Sequence, residues 1–198
     1  MKDALAQRLY EVWSQDLQEA FLNGRIINET MLVAEMYRAI KDPGMDGLEA
    51  WVCPELMFPR QPGPIFDQLN LYHLRHYLEG KHPELLITDG EEVVAVLVLR
   101  FDPFEFVNFR PDIRLLSNLF QLAGQDALLL GLGDAQKEYP IADNLLLAYG
   151  LITRRSSLGF QVRSLEEVVP VEEFPRPLLQ LKGEIDPPHN QFQVRWLN

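Results

Sequence analysis

Cysteine is almost absent from this chain of 198 residues, since Cys53 is the only one. A single cysteine excludes an intramolecular disulfide and a zinc site built from cysteines, and nothing points to an oxidising compartment. The N-terminus, Met1 to Gln7, lacks a basic segment followed by an apolar one, and the apolar run Val93 to Leu99 is too short to cross a bilayer. We therefore expect a cytoplasmic protein without membrane association.

Positive charge is also scarce. Lysine and arginine number 18 against 29 acidic residues, which gives a formal net charge of -11. Duplex DNA carries roughly one negative charge per 1.7 Å of helix axis, so the average field of this chain repels nucleic acid. Arg154-Arg155 is the only adjacent basic pair. We expect no nucleic-acid partner unless folding gathers scattered basic residues into a local groove.

Apolar residues are plentiful, at 47% of the chain, which is enough to bury a substantial core. No composition shift marks a domain boundary, so we expect one α/β domain over residues 1–198. Apolar side chains recur at three- and four-residue spacing from Asp3 to Leu22, and again from Asn28 to about Lys41. Both segments are predicted to be amphipathic helices that pack on a common core.

Strands and further helices are predicted from the remaining patterns. The predicted strands are Leu48 to Phe58, Glu84 to Thr88, Val93 to Phe101 and Ala127 to Leu132, with Val168 to Phe174 and Leu178 to Ile185 towards the C-terminus. The predicted helices are Ile65 to Glu79, Pro111 to Ala123 and Ala142 to Thr153. Phe192, Val194 and Trp196 alternate as in an edge strand. The segment Val93 to Phe101 is apolar on both faces, so helices should cover both sides of its sheet.

The stretch P-E-L-L-I-T-D-G-E-E-V-V-A-V-L-V-L-R, from Pro83 to Arg100, resembles the catalytic hairpin of the PD-(D/E)XK nuclease superfamily. In that superfamily Pro-Asp opens one strand, and the next strand ends in an acid, any residue and lysine. Here the matching positions hold Pro83-Glu84 and Val98-Leu99-Arg100. The resemblance implies a restriction endonuclease-like fold, a central mixed β-sheet flanked by helices. Its core of helix, three strands, helix and strand would span about residues 28–132, with additional C-terminal strands in an extension over about 155–198.

The resemblance also implies where a catalytic site would lie. In active members the two acids bind magnesium and the lysine positions or activates water. Alternate residues of a strand share a face, so positions 98 and 100 project together, and the neighbouring strand brings Glu84 alongside. Val98 offers no ligand, and Arg100 retains a positive charge but serves poorly as a base. Many members also have a helical glutamate that supports the metal, for which Glu35 is the candidate.

Two functions remain open on these residues. In the first, which we favour, Glu84 and Arg100 form an ion pair, Val98 joins the core, and the chain is a non-catalytic module without a cofactor. It would act through a partner protein or as a homo-oligomer built on an apolar helix or an edge strand. In the second, the chain is a nuclease that hydrolyses DNA or RNA, with Mg²⁺ bound by Glu84, Glu35 and Asp89 and with phosphate bound by Arg100. Asp89 also fits simple turn chemistry, and Glu35 fits a helix flank.

Other motifs are weaker. His73 and His76 would share one face of a helix, but no third zinc ligand has a suitable spacing, so a histidine-rich amphipathic surface is the better interpretation. Gly131-Leu132-Gly133 is an incomplete dinucleotide motif that fits a tight turn. The acidic pairs Glu166-Glu167 and Glu172-Glu173 suit either a basic partner or a solvated strand face.

Overall fold

The computed structural model describes residues 2–41, 47–59, 69–102, 110–154, 178–186 and 191–196. Its N-terminal part is helical, with α1 (Lys2–Glu11), a π-helical turn (Val12–Asp16), α2 (Leu17–Leu22) and α3 (Glu29–Lys41). The amphipathic pattern predicted for these segments is confirmed, because its apolar stripe is buried at Leu5, Leu9, Val12, Trp13, Leu17 and Ala20. None of the helices in the described ranges is long and apolar enough to cross a bilayer.

A mixed β-sheet forms the centre of the fold, and its strands follow the order β1, β2, β3, β5, β6, β7. The strands are β1 (Glu49–Val52), β2 (Leu85–Thr88), β3 (Val93–Asp102), β4 (Ala127–Leu130), β5 (Lys137–Arg154), β6 (Leu178–Asp186) and β7 (Gln191–Trp196). β1, β2 and β3 are antiparallel, β5 and β6 each run parallel to the preceding neighbour, and β7 is antiparallel to β6. β4 pairs only with the first part of β5.

The predicted hairpin is present. Asp89 and Gly90 form the turn between β2 and β3, where Gly90 has a φ of +92° and Asp89 Oδ1 accepts hydrogen bonds from the backbone N–H groups of Glu91 and Glu92. Every residue from Val93 to Leu99 is buried. β3 is therefore the central strand that its two apolar faces predict.

Helices cover both faces of the sheet. On one face α1, α2 and α3 pack on residues such as Leu97, Leu99 and Ala148. On the other face α4 (Leu69–Leu78) and α5 (Arg110–Leu122) pack on residues such as Val98 and Tyr149. The expected fold class is confirmed as a mixed α/β fold with a central sheet flanked by helices, and β6 and β7 supply the additional C-terminal strands.

One element was predicted wrongly. The segment Ala142 to Thr153, predicted as a helix, belongs to β5, because it lies between β3 and β6 and has apolar neighbours on both faces. The strand parallel to β3 is therefore β5, and β4, from the predicted strand Ala127 to Leu132, pairs antiparallel with β5. The strand predicted over Leu48 to Phe58 is limited to Glu49–Val52. The strand predicted at Val168 to Phe174 lies outside the described residues.

Candidate functional site

Arg100 lies near the end of β3 and is the centre of a charged cluster. Asp112 grips its guanidinium with both carboxylate oxygens, at 2.8 Å from Nε to Oδ2 and 2.6 Å from Nη2 to Oδ1. The remaining Nη1 donates to Glu84 Oε1 at 2.8 Å and to Glu29 Oε1 at 3.1 Å. One guanidinium thus holds three carboxylates together.

The second oxygens of Glu84 and Glu29 are also engaged. Glu84 Oε2 accepts a hydrogen bond from the backbone N–H of Leu99 at 3.1 Å, and Glu29 Oε2 accepts one from Phe101 at 3.4 Å. Asp112 Oδ2 accepts a further hydrogen bond from the Tyr149 hydroxyl at 3.4 Å. Every carboxylate oxygen of the three acids therefore has a donor within the fold.

Four elements bring these side chains together. Glu29 lies in the first turn of α3 and Asp112 in the first turn of α5, where the helix dipole favours negative charge. Glu84 immediately precedes β2, and the antiparallel pairing of β2 with β3 sets it opposite the end of β3. Val98, two residues before Arg100, is 1% exposed and packs in the core beneath α5. Val98, the position at which the sequence resemblance would place a second acid, is thus part of the core.

The pKa shifts follow from burial and the excess of acids over bases. Burial raises the pKa of Glu84 to about 6, with Arg100 and the Leu99 N–H opposing the shift and Asp112 adding to it. The hydrogen bonds that Arg100 donates to Asp112 raise the pKa of Arg100, which stays protonated. Burial, with Asp112 nearby, raises the pKa of Tyr149, which stays neutral. The cluster therefore has a fixed cation and at least one carboxyl group that resists ionisation.

Cys53 lies beside the cluster, and its backbone N–H donates to the Glu84 carbonyl at 3.0 Å. Burial raises the pKa of its thiol, and the negative charges of Glu84 and Glu29 raise it further. A nucleophilic cysteine needs the opposite shift, towards the thiolate. The environment of Cys53 thus disfavours nucleophilic chemistry.

Of the residues singled out in the sequence, only Glu84 and Arg100 meet. Glu35 instead accepts hydrogen bonds from Arg25 at 3.0 Å and from Arg38 at 3.0 and 3.1 Å. Asp89 serves the hairpin turn. Sequence reasoning missed Glu29 and Asp112, and the only signal available was that each is an acid in the first turn of a predicted helix.

The residues of the cluster do not fit a magnesium ion. Mg²⁺ requires oxygen ligands in near-octahedral geometry at about 2.0–2.1 Å, and the carboxylate oxygens here are turned to the guanidinium and to backbone N–H groups. Within the described ranges, no group of three or more His, Cys, Asp or Glu residues has an arrangement that could hold a metal ion. The cation that these acids bind in the fold is Arg100.

Comparison with known proteins gives little further information. No protein family model matches the sequence, and no curated protein is similar to it. Among solved structures, the cAAA-bound form of NucC from P. aeruginosa ATCC27853 aligns with all of this chain and 84% of its own, at 10% identity and a TM-score of 0.45. The fold of this chain is therefore defined by its own strand order and direction.

Proposed function

We propose that this chain is a non-catalytic domain of the nuclease-like fold that acts as a protein-interaction or structural module. Its partner is another protein or a second copy of the chain, and it uses no cofactor. The observation that supports the proposal is the binding of Glu29, Glu84 and Asp112 by one guanidinium, that of Arg100. Apart from α4, inserted between β1 and β2, and β4, inserted between α5 and β5, the order α3, β1, β2, β3, α5, β5 also agrees with the core that the nuclease resemblance implies.

Arg100 is poorly suited to the work of a catalytic lysine. A guanidinium stays protonated at any physiological pH, so it cannot accept a proton from water. To bind a phosphate it would have to turn away from Asp112 and Glu84, whose carboxylates are largely buried. Leaving such charges unpaired costs about 3–5 kcal/mol. The contacts of Arg100 therefore favour a structural role over phosphate binding.

Val98 also supports a structural role for this end of β3. Its side chain packs against the core formed with α5 and offers no ligand atom. A carboxylate there would be buried among apolar residues, at a high desolvation cost. The environment of Val98 therefore favours an apolar side chain over a metal-binding carboxylate.

An endonuclease assay tests the proposal directly. The wild-type chain is incubated with single- and double-stranded DNA and RNA in the presence of Mg²⁺, Mn²⁺ or Co²⁺, beside Glu84→Gln, which keeps the shape of the side chain. We expect both proteins to give only the background level of cleavage seen without protein, for every substrate and metal. Cleavage by the wild type that Glu84→Gln and Asp112→Asn both abolish, while thermal unfolding shows both variants folded, would overturn the proposal.

A further inference from the structure

The solvent face of α4 is made almost entirely of ring side chains. Four of them follow one another around the helix: Tyr72, His73 and His76, which are exposed, and Tyr77, which is half-buried and packs on the core shared with α5. Tyr72 is 49% exposed, and its ring lies parallel to that of His76, with centroids 6.2 Å apart, and edge-on to that of His73 at 5.8 Å. We call these four residues the α4 ring face.

Two cations extend the α4 ring face at one side. The Arg114 guanidinium lies 4.6 Å from the centroid of the Tyr77 ring, and the Lys81 ammonium lies 5.5 Å from it. Both side chains are exposed. In the part of the chain that the structure describes, neither forms an ion pair with a carboxylate. In a chain of net charge -11, two neighbouring cations without an acid partner among the described residues are a local exception to the average field.

The fold does not need the three exposed rings, those of Tyr72, His73 and His76, where they are. Other residues of α4 supply the packing in the core shared with α5: buried Leu78 and half-buried Leu71, Leu74 and Tyr77. Exposed tyrosine, histidine and arginine side chains therefore contribute little to folding. Tyrosine and arginine are, however, the residues enriched among those that contribute most to protein–protein binding. Tyrosine gives a large contact area at low entropic cost, and arginine adds a charged group with several hydrogen-bond donors.

We infer that the α4 ring face, with Lys81 and Arg114, binds a short acidic segment of a partner protein. The inference rests on the proposed non-catalytic role and names the partner's chemistry. Carboxylates of the segment pair with Arg114 and Lys81, while its apolar or aromatic side chains lie on Tyr72 and His76. Charge complementarity selects this occupant, because the site offers two exposed cations that no carboxylate in the described ranges pairs with.

A single-stranded nucleic acid fits the same surface less well. Such ligands need a basic groove that follows several phosphates and open ring faces on which bases stack. Here the described residues place two cations over the Tyr77 ring, and the surrounding chain has a net charge of -11. A protein segment with a few carboxylates meets less repulsion than a strand charged at every nucleotide.

The test is an NMR titration of the ¹⁵N-labelled chain with an amidated, acetylated peptide of alternating glutamate with phenylalanine or leucine. A peptide with lysine in place of glutamate and an oligothymidylate serve as competing probes. We expect shifts on α4 and the first turns of α5 with the acidic peptide alone, and affinity reduced about tenfold or more in Lys81→Glu/Arg114→Glu. Lys41→Glu is the control, since Lys41 also lies over a tyrosine ring, that of Tyr37 on α3, at 6.0 Å from its centroid. The affinity of the Lys41→Glu variant for the acidic peptide should be unchanged.

Three outcomes would overturn the inference. They are the absence of shifts on α4 at the solubility limit of the acidic peptide, equal binding of the lysine peptide, and tighter binding of the oligothymidylate. An equal loss of affinity in Lys41→Glu would also contradict it, because the effect would then follow overall charge. None of these results changes the expected outcome of the nuclease assay, so the two proposals fail independently.

Discussion

At the scale of single residues, Arg100 determines what the cluster can do. Without a cation between them, the neighbouring carboxylates of the cluster would repel one another. The guanidinium of Arg100 donates two parallel hydrogen bonds to Asp112 and also reaches Glu84 and Glu29. With all three acids ionised the cluster keeps an excess of negative charge. That excess and burial together explain why Glu84 resists ionisation while Arg100 stays charged.

Replacing Arg100 should therefore be costly. We expect Arg100→Met to lower the free energy of unfolding at neutral pH by about 3–5 kcal/mol, since it leaves buried carboxylates without their cation. Urea denaturation measures the change. Arg38→Met is the matched control, because Arg38 forms an exposed ion pair with Glu35, and its loss should cost less than about 1 kcal/mol. Equal costs for the two variants would show that the cluster is not held by Arg100.

Glu84 gives a prediction about pH. Its pKa is about 6 in the fold against 4.5 in the unfolded chain, so the folded state binds the proton more tightly. Stability from this group is present below pH 4.5 and is lost as the pH rises through 6, by about 2 kcal/mol in total. Glu84→Gln lacks this titration. We expect the free energy of unfolding of the wild type, measured relative to Glu84→Gln, to fall over that window.

The comparison with Glu84→Gln removes the effect of the net charge, which both proteins share apart from this one group. A difference that grows in favour of the wild type as the pH rises would mean that Arg100 stabilises the ionised carboxylate by more than burial penalises it. That result would contradict the raised pKa.

At the scale of elements, the sequence predicts the helices and strands whose apolar residues recur with a clear period. The helical spacing identifies α1 to α3 and α5, and the apolar run with Asp89-Gly90 identifies the β2–β3 hairpin. The prediction of a helix at β5 was wrong because the stretch L-L-L-A-Y-G-L-I is almost entirely apolar. A segment that is buried on every side has the same composition in a helix and in a central strand. Its place between β3 and β6 is set by tertiary contacts.

Only the part of the charged cluster that lies on the β2–β3 hairpin could be predicted from the sequence. Glu84 and Arg100 could be paired from strand spacing, since register on adjacent strands is a local property. Glu29 and Asp112 are each in a helix's first turn, where an acid is ordinary. Their convergence depends on how α3 and α5 pack against the end of β3, which residue spacing does not encode. Glu35, three helical positions from Leu32, was an equally reasonable candidate and pairs with arginines instead.

The contact between the N-terminal helical segment and β5 yields a third prediction. A Cβ at Gly150 would lie 2.6 Å from Trp13 Cζ3 and 2.7 Å from Leu99 Cδ2, both in fully buried side chains. We expect Gly150→Ala to lower the free energy of unfolding by about 1–3 kcal/mol. The double variant Leu99→Ala/Gly150→Ala tests the cause, because the smaller side chain makes room. A double variant whose cost equals the sum of the two single costs would exclude the clash with Leu99 as a cause.

At the scale of the whole molecule, the cluster lies where β3 ends and where α3 and α5 begin, so it joins helices from both faces of the sheet. Its acids come from α3, from α5 and from the residue before β2, and its cation comes from β3. The guanidinium of Arg100 is the cation that neutralises acids at this junction. The net charge of -11 agrees with the proposed non-catalytic role, since it opposes association with a phosphate backbone.

The most direct test of the central claim is thermal unfolding with and without Mg²⁺ or Mn²⁺, for the wild type, Glu84→Ala and Arg100→Ala. If Arg100 is the resident cation, the Tm of the wild type does not rise with either metal, whereas that of Arg100→Ala does, because its freed carboxylates can bind the ion. A rise of several degrees in the wild type that Glu84→Ala abolishes would instead show a functional metal site and contradict the non-catalytic role.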